Sequence, residues 1–114
     1  AVRHAEVYRG SFAISVCPSE NVESPTIVGA QAANELLNII GIKASFVLTE
    51  YNDKIYISSR SIDEINVQII MEKLGGGGHL NVAGAQLEGV TIVQAKRMIQ
   101  DTLDEMLKEG DIEE

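Results

Sequence analysis

The sequence is poor in the residues from which disulfide scaffolds, metal centres and membrane spans are built. Its 114 residues include one cysteine, two histidines, two prolines and no tryptophan, and aromatic residues make up 4%. A single cysteine cannot form an internal disulfide. Two histidines without a nearby acidic cluster lack the ligand spacing of a hydrolytic metal site, and no apolar run approaches the roughly 18–20 residues of a membrane-spanning helix. We therefore assign this chain no metal ligand and no cofactor of its own.

Basic residues are also scarce, and the charge is unevenly distributed. Nine lysines and arginines face 17 acidic residues, which gives a net charge of −8. The segment from Asp101 to Glu114 carries −6, so the preceding hundred residues carry only −2. A solvated last helix with an acidic tail explains this segment. Because the sequence lacks an extended basic face, a long nucleic-acid duplex is disfavoured as a partner, whereas a small nucleotide or a short strand end is compatible.

The most informative feature that is present is a run of four glycines, Gly75 to Gly78, followed by His79. Ordering each glycine costs roughly 0.5–1 kcal/mol relative to alanine. Gly75 suits a left-handed helix C-cap, but this role leaves the other three glycines unexplained. We interpret Gly76, Gly77 and Gly78 as backbone N–H groups that approach a phosphate, with the His79 imidazole as a further donor.

The hydrophobic content of 45% and the length indicate one α/β domain, 1–114, with a mixed β-sheet and packing helices in the order β-α-β-β-α-β-α. Residues 1–7 and 110–114 are expected to be frayed. Two N-caps are open for the helix before the glycine run: Ser61 in a Ser-x-x-Glu capping box, or Asn66. The predicted elements are a strand over 8–16, a helix opened by Ser24-Pro25 and stopped by Gly41, a hairpin of 43–51 and 54–60, the helix before Gly75, a strand over 83–87, and a helix from Thr91-x-x-Gln94. The last helix has apolar residues at spacings of three and four, which predict an amphipathic helix that packs on the sheet: Ile92, Ala95, Ile99, Leu103 and Met106.

The second hairpin strand brings polar side chains to one face. Because strand residues alternate, Ile55 and Ile57 point one way, and Tyr56, Ser58 and Arg60 point the other. A guanidinium fork and a hydroxyl therefore emerge together, and with the glycine loop and His79 they could converge on one phosphate. No nucleophilic triad accompanies them, so we assign no catalytic residue. The residues alone predict a phosphate-binding module.

These same residues resemble a known family. The Gly-Gly-Gly-Gly-His run, Ala83-Gly84, and Ser58-Ser59-Arg60-Ser61 before Ile65-Asn66-Val67-Gln68 are similar to the defining pieces of the DHHA1 domain, the second half of the DHH phosphoesterase superfamily. From about Ser11 to Leu107 the sequence is also similar to the C-terminus of GdpP-type cyclic-di-AMP phosphodiesterases of Gram-positive bacteria.

The resemblance implies a role for each matching residue and a larger parent protein. Arg60 and His79 would hold substrate phosphate, and Gly76 to Gly78 would bring their backbone to the nucleotide. A phosphate-binding role is assigned to Ser58 mainly because its side chain shares the face of Arg60. Catalysis would belong to a preceding DHH domain of the same chain, where two manganese ions activate the water that opens cyclic-di-AMP to linear pApA. We therefore expect a cytoplasmic fragment of a multidomain parent anchored in the bacterial cell membrane.

Two alternatives stand beside this hypothesis. The parent could be a nanoRNase or RecJ-like exonuclease of the same superfamily that acts on short oligonucleotides. Alternatively, the acidic amphipathic last helix would suit a non-catalytic nucleic-acid-binding or dimerisation module, including a homodimer.

Overall fold

The computed structural model describes residues 6–17, 25–39, 41–51, 53–62 and 65–110. Several predicted features lie outside these ranges: Ser24 at the start of the first helix, Glu64 of the capping box, and the segments 1–5 and 111–114, which were expected to be frayed. Residues 6 and 7 of the expected frayed start lie in a strand, and Gly110 is the left-handed C-cap of the last helix.

The described residues form one mixed sheet of six strands with three helices, which confirms the predicted fold class. The elements are β1 (Glu6–Tyr8), β2 (Phe12–Cys17), α1 (Pro25–Leu37), β3 (Ala44–Tyr51), β4 (Lys54–Ser61), α2 (Val67–Lys73), β5 (Gly77–Gly78), β6 (Val82–Glu88) and α3 (Ile92–Glu109). The strands lie in the order β1-β2-β3-β4-β6-β5. Strands β2 and β3 are parallel, and all other neighbours are antiparallel.

Two strands were missed by the sequence prediction. The single strand predicted over 8–16 is instead the hairpin β1–β2, because Arg9 and Gly10 adopt φ of 52° and 78° and reverse the chain. The second is β5, which lies within the glycine run and pairs with β6. The predicted helix end at Gly41 was also wrong, since α1 ends at Leu37.

The helix caps follow local sequence signals. Thr91 and Gln94 form the predicted capping box of α3. Of the two candidates for α2, the N-cap is Asn66, whose side chain accepts a hydrogen bond from the Ile69 N–H at 3.3 Å. Ser61 instead ends β4 and donates its hydroxyl to the Ile65 carbonyl at 2.6 Å.

The two faces of the sheet are covered unequally. Helices α2 and α3 pack on one face, where Ile55 and Ile57 join the main core as predicted, and the predicted α3 positions Ala95, Ile99, Leu103 and Met106 are fully buried there. Helix α1 packs on the other face over β2, β3 and β4 through a smaller cluster that includes Ala33, Leu36 and Val47. Helix α1 makes most of its contacts with β3 and β4, and a pocket opens beside it over β4 and β6. No helix in the described ranges combines the length and hydrophobicity needed to cross a membrane.

A small polar network ties α3 to the β1–β2 hairpin and predicts a pH dependence of stability. The Tyr8 hydroxyl donates to both Asp104 carboxylate oxygens at 2.8 Å, and Arg9 Nε donates to Asp104 Oδ1 at 2.6 Å. The hydrogen bond from Tyr8, followed by that from Arg9, lowers the pKa of Asp104. A lowered carboxyl pKa stabilises the fold above the unfolded-state pKa, and this stabilisation is lost as the pH falls through the folded-state value.

We therefore expect Asp104→Asn to destabilise the domain at pH 7 by at most about 1 kcal/mol, since the network is solvent-exposed. The difference between wild type and variant should shrink as the pH falls below the ordinary carboxyl pKa of about 4 and on through the lower folded-state pKa of Asp104. Urea denaturation of both proteins at pH 7 and pH 3 measures this. An equal difference at the two pH values would show that the charge of Asp104 is not involved.

Candidate functional site

A pocket of about 490 Å³ opens on the α1 face of the sheet. Its floor is formed by β4 and β6, Ala30 of α1 stands on one side, and Gly75 and Gly76 of the glycine run also line it. Arg60 and Ser58, both predicted as site residues, line the same cavity. The structure thus brings the end of β4 and the start of the glycine run together, as the sequence argument required.

The strand register arranges the pocket face in three parallel rows, because residues directly opposite each other in antiparallel strands share a face. The first row holds Arg60 and Val82, and His79 extends it because its backbone bonds to Val82. The second row is Ser58, Gly84 and Gly77, and the third is Tyr56 with Gln86. We call these the arginine row, the floor row and the Tyr56–Gln86 row.

Arg60 is the main charged group of the site. Its Nε donates to Asn34 Oδ1 of α1 at 3.1 Å, and one terminal nitrogen donates to the Ser59 carbonyl at 2.7 Å. Within the described ranges no carboxylate forms an ion pair with it. Burial lowers the pKa of the guanidinium, but arginine stays protonated at neutral pH. The result is a fixed, partly desolvated cation whose remaining donors can bind an anion bidentately.

The floor row is almost free of side chains. Ser58 is buried, and its hydroxyl makes no hydrogen bond with another described residue. A Cβ on Gly84 would lie 2.8 Å from the Ile57 carbonyl oxygen, so the close packing of β4 and β6 requires this glycine. A Cβ on Gly77 would meet nothing within 4 Å. A flat group could therefore rest on this row without displacing side chains.

The glycine run is explained largely by packing. Gly75 adopts φ +88° after α2, and its N–H donates to the Glu72 carbonyl while that of Gly76 donates to Met71, which is the Schellman cap. The group that approaches Gly76 and Gly78 is β6, because a Cβ on Gly76 would lie 2.1 Å from Gly84 O and one on Gly78 would lie 2.5 Å from Ala83 Cα.

This arrangement differs from the expected cradle of three successive amides. The N–H of Gly76 already binds a helix carbonyl, and the N–H of His79 donates to the Val82 carbonyl at 2.7 Å. Since bonded and non-bonded pairs alternate along an antiparallel ladder, Gly77 is bonded to β6 and the N–H of Gly78 points away from it. One amide of the run, that of Gly78, is thus left for an external acceptor at the sheet edge.

His79 does not line the cavity. It lies at the turn between β5 and β6, is exposed, and its ring makes no hydrogen bond or ion pair within the described part of the chain. Its position in the arginine row places its Cα two strand spacings, about 10 Å, from that of Arg60. The two side chains therefore share a face and flank the exposed Val82, with His79 at the outer end of the row.

Residues 10–109 match the DHHA1 domain. This chain belongs to the DHHA1 domain family. It is 46% identical over 104 residues to the cyclic-di-AMP phosphodiesterase PdeA of Listeria monocytogenes serotype 1/2a (strain 10403S), an alignment that covers 90% of this chain and 16% of that protein. It is 37% identical over 111 residues to the cyclic-di-AMP phosphodiesterase GdpP of Bacillus subtilis (strain 168), with 96% and 17% covered.

These relatives confirm the resemblance to GdpP-type enzymes that the sequence indicated. The DHHA1 chain spans about a sixth of the length of the curated relatives it matches. The solved structure of an exopolyphosphatase-related protein from Bacteroides fragilis superposes with a TM-score of 0.80 at 22% identity, and covers 92% of this chain and 32% of that one. That likeness shows a shared fold.

Three residues of the DHHA1 site were not predicted from the sequence. Asn34, which holds Arg60, lies on a helix whose orientation depends on the tertiary structure. Tyr56 and Gln86 line the pocket opposite each other. The alternation of β4 already placed Tyr56 on the face of Arg60, whereas Gln86 could be found only from the pairing of β6 with β4. No three His, Cys, Asp or Glu residues of the described ranges lie close enough together to hold a metal ion.

Proposed function

We propose that this DHHA1 domain is the phosphate-binding half of a cyclic-di-AMP phosphodiesterase, whose complete form hydrolyses the cyclic dinucleotide to linear pApA. The observation that carries the proposal is Arg60: a partly buried guanidinium without a described carboxylate partner, held by Asn34 at the edge of a pocket. A guanidinium that has free donors at the edge of a pocket, and no carboxylate among the described residues to neutralise it, is suited to bind an anion. The relatives named for cyclic-di-AMP indicate which anion.

The pocket residues have separate tasks in this proposal. The Arg60 fork binds two oxygens of one phosphate, and the neighbouring Ser58 hydroxyl donates to the same group. His79, at the outer end of the arginine row, and the outward amide of Gly78 contact the second phosphate. These contacts orient the substrate and reduce its freedom relative to the attacking group, which is a major part of catalysis at a phosphodiester.

Hydrolysis itself is assigned to a different domain. The described residues do not fit a manganese site, so we place the two manganese ions in a preceding DHH domain of the parent, where they would supply the activated water. The DHHA1 domain would then close the substrate cleft from the opposite side and would be inactive alone. The same proposal places the parent in the bacterial cell membrane with this domain in the cytoplasm.

An NMR titration of the ¹⁵N-labelled chain tests the proposal, with cyclic-di-AMP, linear pApA and a short linear RNA as separate ligands. We expect saturable shift changes at Arg60, Ser58, Gly84 and the glycine run with cyclic-di-AMP. The dissociation constant should lie in the high-micromolar to millimolar range, which corresponds to about −4 to −5 kcal/mol and suits half of a site. Shifts confined to α3, or none at millimolar ligand, would contradict the phosphate site. Stronger binding of the short RNA than of either dinucleotide would favour the oligonucleotide exonuclease alternative.

A further inference from the structure

The end of the pocket opposite to Arg60 has two polar side chains that have no hydrogen-bond partner among the described residues. Tyr56 and Gln86 are directly paired across β4 and β6, and both line the cavity. Tyr56 is half-buried and Gln86 is exposed. Neither the Tyr56 hydroxyl nor the Gln86 amide hydrogen-bonds to another described residue. An aromatic ring and a free carboxamide thus stand side by side over a concave surface.

The spacing between this row and the arginine row suits a nucleotide. Tyr56 lies four residues before Arg60 on β4, and at about 3.3 Å per residue their Cα atoms are about 13 Å apart. The floor row of Ser58, Gly84 and Gly77 lies midway and presents little side-chain bulk. The long Arg60 and Gln86 side chains can both extend over this floor. A phosphate bound by Arg60 therefore leaves the sugar over the floor and the base near Tyr56 and Gln86.

We propose that Tyr56 and Gln86 form the base-recognition end of the pocket, with the Tyr56 ring stacked on the base and the Gln86 carboxamide selecting adenine over guanine. The inference rests on the proposed function and adds the residues that determine its specificity. A carboxamide donates through its NH₂ group and accepts through its carbonyl oxygen. On its Hoogsteen edge adenine offers the complementary pair, the N7 acceptor and the N6 donor, whereas the same edge of guanine offers two acceptors, N7 and O6, so we place this edge of the base against Gln86.

The test compares the ratio of dissociation constants for cyclic-di-GMP and cyclic-di-AMP in wild type and variants, measured by calorimetry or NMR titration. We expect wild type to prefer cyclic-di-AMP. Gln86→Met keeps the length of the side chain but removes both hydrogen bonds, so it should reduce the preference about fivefold to tenfold. Gln86→Arg supplies two donors and should shift the ratio toward cyclic-di-GMP, because arginine pairs with O6 and N7 of guanine.

Variants of Tyr56 and Arg60 serve as matched controls. Tyr56→Ala should weaken both ligands about tenfold while Tyr56→Phe retains binding, since stacking on an aromatic ring does not depend on the hydroxyl or the base. Arg60→Ala should weaken both ligands without changing their ratio, because phosphate contacts carry no base information. The ¹H–¹⁵N spectrum of each variant shows whether it is folded.

The outcomes separate the inference from the proposed function. If Arg60→Ala weakens binding but folded Gln86 variants keep the wild-type ratio, the phosphate site stands and the base-recognition assignment is overturned. If Tyr56→Ala binds both ligands as wild type does, the stacking role is overturned. If neither cyclic dinucleotide binds wild type, or if binding is indifferent to Arg60, both the proposed function and this inference fail.

Discussion

Replacement of Arg60 by alanine should weaken the binding of cyclic-di-AMP by about tenfold to a hundredfold, which corresponds to the roughly 1.5–3 kcal/mol of charge-assisted hydrogen bonds to a phosphate. Arg60 is the pocket's charged residue, and its position depends on the hydrogen bond to Asn34 rather than on an ion pair among the described residues. Since no described salt bridge is lost, the free energy of unfolding should change little. Calorimetry or NMR titration gives the affinity, and urea denaturation gives the stability.

Two further arginine variants control this experiment. Arg60→Lys keeps the charge but loses the planar fork, so it should recover only part of the affinity. Arg97→Ala removes an exposed arginine of α3, which packs on the opposite face of the sheet, and it should bind as wild type does. An equal loss of affinity in Arg60→Ala and Arg97→Ala would indicate that binding depends only on the net charge of the domain. Unchanged affinity in a folded Arg60→Ala protein would contradict the proposed site.

Gly76→Ala should produce the largest loss of stability among substitutions in the glycine run. Its Cβ would lie 2.1 Å from the Gly84 carbonyl oxygen and 2.7 Å from Ala85 Cα. Both obstacles are backbone or backbone-attached atoms, so no side-chain rotation relieves them, and β5 must separate from β6. We expect a cost of about 2–4 kcal/mol, measured as the free energy of unfolding in urea.

The neighbouring glycine provides a matched control. A methyl group on Gly77 would meet nothing within 4 Å, and φ at this residue lies outside the left-handed region. Gly77→Ala should therefore change stability by no more than about 0.5 kcal/mol. Since Gly77 belongs to the floor row, the same folded variant should bind cyclic-di-AMP less tightly. Equal stability of the two variants would contradict the close packing of β5 on β6.

Much of the site could be predicted from the sequence because its signals are local. The alternation of β4 placed Ser58 and Arg60 on one face, opposite to Ile55 and Ile57, and the structure has that arrangement. Their role in phosphate binding stays a prediction. The glycine run was correctly placed after a helix. The interpretation as an amide cradle did not include the hydrogen bonds that these N–H groups make within the fold.

The error at the glycine run has a clear physical origin. The entropic cost of ordering four glycines has to be offset by favourable interactions, and the sequence argument assigned these interactions to a ligand. In the structure, favourable interactions come from the α2 cap and from close packing of the glycine run on β6. The packing on β6 requires Gly76 and Gly78 in particular. A Cβ would meet nothing within 4 Å at Gly75 or at Gly77, but Gly75 has a φ of +88° that disfavours other residues, so Gly77 has the least structural need to be glycine. The sequence distinguishes only Gly75, as the helix cap, and the pairing with β6 gives the other three glycines their different roles.

By itself the sequence determined the order of the main elements, the capping box at Thr91 and Gln94, the buried stripe of α3 and the polar face of β4. These features depend on residues a few positions apart, where backbone geometry fixes which side chains meet. The tertiary structure alone decided the strand order β1-β2-β3-β4-β6-β5, the hydrogen bond from Arg60 to Asn34, and the row that joins Tyr56 to Gln86. Such contacts join distant segments, and their register follows from how both faces of the sheet are packed, which no short stretch of sequence encodes.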